Sequence, residues 1–191
     1  TQKAIDRAKA DFTGVFYDRY ILGKWVAAEG LIYPDVANGQ GIVASKDRPY
    51  VKHYISIDYG TLNPFSAGLW GLYKGVWYRF DEYYYSGRGT QRQLTDAEYY
   101  RELDRLAGGR RIESIVIDPS AASFIAEIKK YGEYRVKKAD NDVLNGIRKT
   151  ASAFKNGRIA VCKNCSGAIS EFSSYCWDEK KQEDKPIKEN D

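Results

Sequence analysis

The sequence predicts an α/β protein in which a mixed sheet of five strands is flanked by helices. Five runs show the two-residue alternation or apolar character of strands. They are 51–58, 66–73, 76–85, 112–118 and 134–138. Lys74-Gly75 is typical of a tight hairpin turn, so the first three strands are expected to form an antiparallel meander. The last two strands are separated by a helix-like run, which predicts a parallel pairing with a right-handed crossover.

Helix signals occupy the stretches between and after these strands. Thr95-Asp-Ala-Glu98 has the pattern of a capping box, and Gly108-Gly109 is a stop signal. A second helix is expected to start at Ser120 or Ser123. The longest helix is expected to begin at Asp140 or Asn141 and to be followed by a small strand at 158–162 and a further helix.

The chain is predicted to divide near residue 49. Residues 35–49 are loop-like, with Gly39, Gly41 and Pro49, so residues 1–49 are interpreted as a connector and 50–191 as the main domain. Within the main domain, 178–191 is rich in Lys, Glu and Asp and is predicted to be a polar tail. The absence of methionine, even at position 1, suggests a piece of a longer polypeptide.

Composition excludes several classes of protein. The sequence has no run of 18 apolar residues, which argues against a membrane-spanning helix, and its first residues do not resemble a signal peptide. The three cysteines are an odd number clustered late in the chain, which favours a reducing cytoplasm over a disulfide framework. The net charge of +4 is compatible with a polyanionic partner.

Two aspartates follow similar apolar runs. Ile55-Ser-Ile-Asp58 and Ile115-Val-Ile-Asp118 each end in Ile-Asp and are followed by turn residues. If the two strands are neighbours, Asp58 and Asp118 meet at the same edge of the sheet, where ligands gather in α/β folds. Two adjacent carboxylates favour a hard divalent cation such as Mg²⁺ or Mn²⁺. The alternative is that each aspartate only caps the turn after its strand.

Other residue types in the sequence are also candidates for a functional site. The single histidine, His53, has the strand parity of Ile55, opposite to Asp58, so a packed histidine is the favoured interpretation. Cys162-Lys-Asn-Cys165 has the spacing of zinc ligands, but reduced buried cysteines are favoured. Basic residues could contact a phosphate backbone, and the glycine-rich loop 86–92 is the first candidate. The residues chosen are Arg88, Arg92, Lys137, Lys138 and Arg148.

Several motifs together resemble the C-terminal nuclease domain of tailed-phage terminase large subunits. They are Ile55-Ser-Ile-Asp-Tyr-Gly-Thr-Leu-Asn-Pro64, Ile115-Val-Ile-Asp-Pro-Ser-Ala-Ala-Ser-Phe124 and Asn141-Asp-Val-Leu-Asn-Gly-Ile147. The stretch Arg19-Tyr-Ile-Leu-Gly-Lys-Trp-Val-Ala-Ala-Glu-Gly-Leu-Ile-Tyr-Pro34 resembles the segment that follows the packaging ATPase in that family. No Walker-type phosphate loop is present, so the chain is interpreted as lacking the ATPase itself.

The resemblance implies an RNase H-like fold and metal-dependent endonuclease activity. The implied enzyme has a site for two Mg²⁺ or Mn²⁺ ions and cuts concatemeric double-stranded viral DNA during genome packaging. The family's first two acidic ligands correspond to Asp58 and Asp118. The implied partners are DNA, the portal protein, the small terminase subunit and the ATPase domain of the same polypeptide. The implied location is the cytoplasm of the bacterial host.

In the family that the chain resembles, the third acidic ligand comes from a C-terminal segment that reads like Asn-Asp-His-x-x-Asp-Ala. The chain stops at Glu189-Asn-Asp191. The resemblance therefore implies a third ligand past residue 191, and the alternative is that Asp191 substitutes for it. Weak cleavage by this chain is expected.

Two other readings stay open at the level of sequence. Ile57-Asp-Tyr-Gly-Thr61 also resembles the first phosphate loop of actin-like and sugar-kinase nucleotide binders, although Pro119 removes a backbone donor where a second loop would need one. A resolvase or transposase core would share the fold and the chemistry.

Overall fold

The computed structural model describes residues 2–26, 28–60, 64–86, 92–178 and 184–187. A seven-stranded sheet in the order β1-β7-β4-β3-β2-β5-β6 is its central layer. The strands are β1 Ile42–Val43, β2 His53–Asp58, β3 Phe65–Tyr73, β4 Val76–Tyr85, β5 Ile112–Ile117, β6 Val136–Lys138 and β7 Ile159–Cys162. The helices are α1 Gln2–Asp11, α2 Gly14–Tyr20, α3 Pro34–Ala37, α4 Asp96–Ala107, α5 Ala122–Tyr131, α6 Val143–Lys155 and α7 Ser166–Ser174.

The sheet is mixed, as predicted, but it has two strands more than expected. β2, β3 and β4 form the antiparallel meander, and every other pairing is parallel. The hairpin between β3 and β4 turns at Lys74 and Gly75, both with positive φ, as the two-residue turn requires. One additional member of the sheet is β7, which was predicted as a small strand but not as part of the sheet, and which joins it beside β4. The other is β1, which lies in the segment predicted to be a loop.

Helix ends largely follow the predicted signals. Thr95 and Glu98 form the full capping box of α4, and Gly108 ends that helix in the left-handed conformation. α6 differs slightly, because Asp142, and not Asp140 or Asn141, accepts the capping bond from the Asn145 amide. The last helix, which the sequence predicts from Ser166 to about Trp177, ends at Ser174.

Two apolar clusters cover the two faces of the sheet. The first packs α4 and α5 against β2, β3 and β5, with Ile55, Phe65 and Ile115 fully buried. The second joins β7, α6 and α7 to the N-terminal segment through residues such as Phe16, Phe154 and Val161. Residues 31–43 therefore share a core with the C-terminal third of the chain. The division at residue 49 stays a prediction.

The predicted polar tail has contacts with the N-terminal segment at the residues that the structure describes. Trp177 is buried and bridges to Pro186, and Asp184 forms an ion pair with Arg19. None of the helices in the described ranges is both long enough and apolar enough for a membrane crossing.

Candidate metal centre

Asp58 and Asp118 lie at the carboxyl ends of neighbouring parallel strands. β2 and β5 pair in register up to Ile57 and Ile117, and each aspartate is the next residue along its strand. Neighbouring strands are about 4.8 Å apart, and residues in register share a face of the sheet. The juxtaposition that the sequence predicted is therefore present, while the role of the two aspartates as metal ligands stays a prediction.

The Asp118 carboxylate is held by the turn that follows it. Its Oδ1 accepts a hydrogen bond from the Ser120 amide at 2.7 Å. Hydrogen bonding from the side chain and amide of Ser120, with a smaller contribution from Asn141, lowers the pKa of Asp118 below its ordinary value. The turn-capping interpretation is thus also present, and it keeps this carboxylate anionic.

Asp58 lines a cleft of about 460 Å³ between the sheet and α7. The sheet side of the cleft includes Ser66, Arg79 and Tyr84, and the helix side includes Glu171. The Tyr84 hydroxyl donates to Glu171 Oε1 at 2.8 Å. Burial, this bond and the nearby Asp58 raise the pKa of Tyr84 to about 12, so the hydroxyl is protonated at neutral pH.

The two aspartates suit a hard divalent cation, because carboxylate oxygens are the side-chain ligands that Mg²⁺ and Mn²⁺ prefer. Asp58 is exposed and Asp118 is half-buried, so both carboxylates are accessible from the same edge. Across the residues that the structure describes, no three His, Cys, Asp or Glu side chains are grouped closely enough to hold a metal ion. Asp191, the predicted substitute ligand, lies outside the described residues.

His53 belongs to the other face of the sheet. Its ring lies 6.0 Å from the rings of Tyr50 and Phe80, each in an edge-on arrangement. Burial and the neighbouring Arg110 lower the pKa of His53 below its ordinary value. These contacts agree with a packed histidine that does not face Asp58.

The basic residues chosen from the sequence have different surroundings. Lys137 and Lys138 are exposed on the edge strand β6. Arg92 pairs with Glu98 of the α4 capping box. Arg148 donates to Asn145 and lies over the ring of Phe12, and Arg88 lies outside the described residues. The ammonium of Lys137 lies 5.8 Å from the centre of the Tyr54 ring.

Two of the three cysteines lie at the junction of β7 and α7. Cys162 and Cys165 are buried free thiols, and burial raises the pKa of Cys165 to about 12. Cys165 Sγ contacts the carbonyl oxygen of Arg79 at 3.4 Å, which ties the start of α7 to β4. These protonated, buried thiols pack as small apolar groups.

Sequence reasoning missed the contribution of α7 and of two charged residues in β4. Arg79 and Glu82 form an ion pair at 3.0 Å whose side chains are 11% and 6% exposed. Charged residues within a largely aromatic strand were the available signal, because charged side chains are rarely buried without partners. Glu171 gave no such signal, since a glutamate in a short polar helix is ordinary.

The chain is similar to known proteins both in sequence and in structure. No family model matches the chain. The large terminase subunit of Escherichia phage T5 is 27% identical over 144 residues, which are 75% of this chain and 32% of that protein. The large terminase of the thermophilic bacteriophage D6E, solved with ADP, is 46% identical with a TM-score of 0.93. That match covers 100% of this chain and 48% of the D6E chain, so this chain spans about half the length of that relative.

Two isolated nuclease domains have the same fold at low identity. The nuclease domain of P22 large terminase is 17% identical, with a TM-score of 0.64 over 84% of this chain and 85% of that one. The large terminase nuclease from the thermophilic phage G20c, solved with bound cobalt, is 13% identical, with a TM-score of 0.55 over 84% of this chain and 88% of that one. The chain is homologous to bacteriophage large terminase subunits, and it has the RNase H-like fold of their nuclease domains.

Proposed function

We propose that this chain is a metal-dependent endonuclease that cleaves concatemeric double-stranded viral DNA during genome packaging. The observation that carries the proposal is the parallel register of β2 and β5, which puts Asp58 and Asp118 side by side at one edge of the sheet. The cobalt in the G20c nuclease supports a divalent ion as cofactor. For this chain we propose two Mg²⁺ or Mn²⁺ ions.

Asp58 and Asp118 are the residues that would hold these ions. When bound, such ions activate a water molecule and neutralise the phosphodiester, so that phosphate displacement needs no histidine base. The bonds from Ser120 keep Asp118 ionised and fix its orientation. Asp58 and Glu171 give the cleft an acidic character that disfavours phosphate until a cation is present.

The wider role follows from the homology and remains part of the proposal. We propose that residues 50–191 are the nuclease domain and that 1–49 connect it to a packaging ATPase in the same polypeptide. The D6E structures with ADP and with ATP-gamma-S agree with a nucleotide site in such a protein. The proposed partners are DNA, the portal protein and the small terminase subunit, in the cytoplasm of a bacterial host.

Digestion of a supercoiled plasmid with Mn²⁺ or Mg²⁺ tests this function. Wild-type protein is expected to nick and linearise the plasmid only with metal, and Asp58→Ala and Asp118→Ala are expected to lose at least a hundredfold in rate. Glu113→Gln, at the opposite end of β5, is the control and should cleave as wild type. Cleavage that survives both alanine substitutions would contradict the assignment.

Labelled ATP in the same samples separates the proposal from the actin-like alternative. A nuclease domain without a phosphate loop is expected to show no saturable ATP binding. Saturable ATP binding that Asp58→Ala abolishes, in the absence of cleavage, would favour a nucleotide-binding protein instead.

A further inference from the structure

A buried ion pair lies in the wall of the cleft beside Asp58. Arg79 Nη2 is 3.0 Å from Glu82 Oε2 and also donates to Ser66 Oγ at 3.0 Å. The guanidinium lies flat on Gly68, where a Cβ atom would come within 2.4 Å of it. Ser66 is the cross-strand partner of Asp58, so this pair is one residue away from the proposed metal ligand.

Stability alone does not require charged residues at these two positions. Transfer of two charges out of water is costly, and apolar residues of similar volume are often as stable as a buried ion pair. The cost of burying this pair is better explained by a specific contact that one of its side chains makes outside the pair.

Glu82 makes that contact with the first turn of α7. Its Oε1 accepts from the Gly167 amide at 2.7 Å, and its Oε2 accepts from the Ala168 amide at 3.3 Å. The N-cap residue Cys165 makes no capping bond with its own side chain, so Glu82 satisfies these amides from the sheet. Gly167 permits the approach, because a Cβ there would meet the Tyr84 ring at 2.5 Å.

The helix fixed in this way forms the second wall of the cleft. Ala168, Glu171 and Phe172 of α7 line it opposite Asp58. The bond from Tyr84 to Glu171 attaches the same helix to β4 one turn further along. The distance between α7 and Asp58 is therefore set by contacts that originate in β4.

We propose that Glu82 is a positioning residue that fixes α7 against the sheet so that the cleft beside Asp58 admits DNA in the geometry of cleavage. This inference rests on the proposed nuclease function. Glu82 acts through α7 and touches neither the metal ions nor the substrate.

Two matched double variants of the 191-residue chain test the inference. Arg79→Met/Glu82→Gln removes the ion pair but keeps a side-chain oxygen for the Gly167 amide. Arg79→Met/Glu82→Leu removes the ion pair and the acceptor together. Both replace buried charge with groups of similar volume, and thermal melting and circular dichroism establish that each is folded.

Hydrogen exchange and steady-state cleavage are then measured on both variants. The leucine variant is expected to show at least tenfold faster exchange at the Gly167 and Ala168 amides, with α4 unchanged. Its kcat for plasmid cleavage is expected to fall at least tenfold, while KM for DNA and Mn²⁺ affinity change less than about threefold. The glutamine variant is expected to stay within about threefold of wild type in exchange and kcat.

Each outcome decides the inference. A leucine variant with wild-type exchange at α7, or with loosened α7 and wild-type kcat, would overturn it. Equal losses in the two variants would assign the effect to the ion pair and also overturn it. If wild-type protein shows no metal-dependent cleavage, the proposed function has failed, and with it the role of Glu82 in cleavage; the exchange data still decide whether Glu82 fixes α7.

Discussion

At the scale of single residues, Asp118 combines two roles that the sequence presents as alternatives. One carboxylate oxygen accepts from the Ser120 amide, which is what a turn-capping aspartate does. Hydrogen bonds from the Ser120 side chain and from this amide lower the pKa of the carboxyl group, which is what a metal ligand needs. The sequence pattern cannot distinguish a turn-capping aspartate from a metal ligand, because a capping bond engages one carboxylate oxygen and leaves the carboxylate charged.

His53 allows a direct test of one residue's surroundings. Burial first and Arg110 second hold its pKa below the ordinary value of 6.5, because both disfavour the charged imidazolium. Since the folded-state pKa is lowered for a base, its contribution to stability is complete above pH 6.5 and declines as the pH falls below that value.

The chain has a single histidine, so one imidazole NMR signal reports the titration. We expect a midpoint below 6.5 for wild-type protein and a midpoint closer to 6.5 for Arg110→Gln. An unperturbed wild-type midpoint, or no response to loss of Arg110, would show that His53 is not packed as described.

At the scale of elements, the helix caps were predictable because their signals are local. The capping box of α4 involves four consecutive residues and is present as predicted. Thr95→Ala removes the acceptor for the Glu98 amide and is expected to cost about 1 kcal/mol of unfolding free energy. Thermal melting should register a decrease of about 2–4 °C.

Ser173→Ala is the control for this substitution, because Ser173 is exposed and donates to the Ile169 carbonyl within its own helix. Its melting temperature should change by less than half as much. Equal effects of the two substitutions would argue against the cap.

The short strand β1 depends on a glycine. Gly41 has φ +76, and a Cβ atom there would come within 2.5 Å of the Phe154 ring, which is backed by the second core cluster. Gly41→Ala is therefore expected to cost both backbone strain and crowding, about 2–4 kcal/mol in unfolding free energy.

Gly109→Ala separates the two causes, because Gly109 has φ +71 but nothing within 4 Å of its Cβ position. It is expected to cost about 1–2 kcal/mol, the strain alone. Urea unfolding of both variants measures the difference, and equal losses would show that β1 does not pack on Phe154 as described.

At the scale of the whole molecule, the sequence predicts the elements better than their arrangement. The meander was predictable because its strands are consecutive and joined by a recognisable turn. The position of β7 beside β4 was not, since that parallel pairing joins residues far apart in the sequence and has no local signal. β1 was missed for a similar reason, because two residues are too few to show a period.

The same distinction applies to the candidate site. Asp58 and Asp118 were predictable because each ends an apolar strand with the same Ile-Asp pattern. The other side of the cleft comes from α7, which follows β7, so the contribution of Glu171 became visible only with the fold. The ion pair of Arg79 and Glu82 was likewise not predictable, because Glu82 bonds to an amide of α7, which lies beside β4 only in the fold.

The exposed lysines of β6 give a prediction about DNA binding. If Lys137 and Lys138 contact phosphates, Lys137→Gln/Lys138→Gln should change how DNA affinity depends on salt. The slope of log K against log salt concentration should become shallower by about 1–2. Fluorescence anisotropy at several salt concentrations measures this slope.

Lys3→Gln/Lys9→Gln on α1 removes the same charge from an exposed helix and is the control. If the two double variants reduce the slope equally, the effect is net charge, and the assignment of a DNA surface to β6 is wrong.

The measurement that tests the central claim most directly is Mn²⁺ binding by Asp58→Asn, Asp118→Asn and the double variant. Electron paramagnetic resonance measures the free Mn²⁺ in each titration. If the two aspartates share one metal centre, each single substitution should weaken Mn²⁺ binding at least tenfold. The double variant should then lose less than the product of the two single losses. Glu113→Gln should bind Mn²⁺ as wild type does. Unchanged Mn²⁺ affinity in both single variants, or fully independent losses, would contradict a shared centre at the edge of β2 and β5.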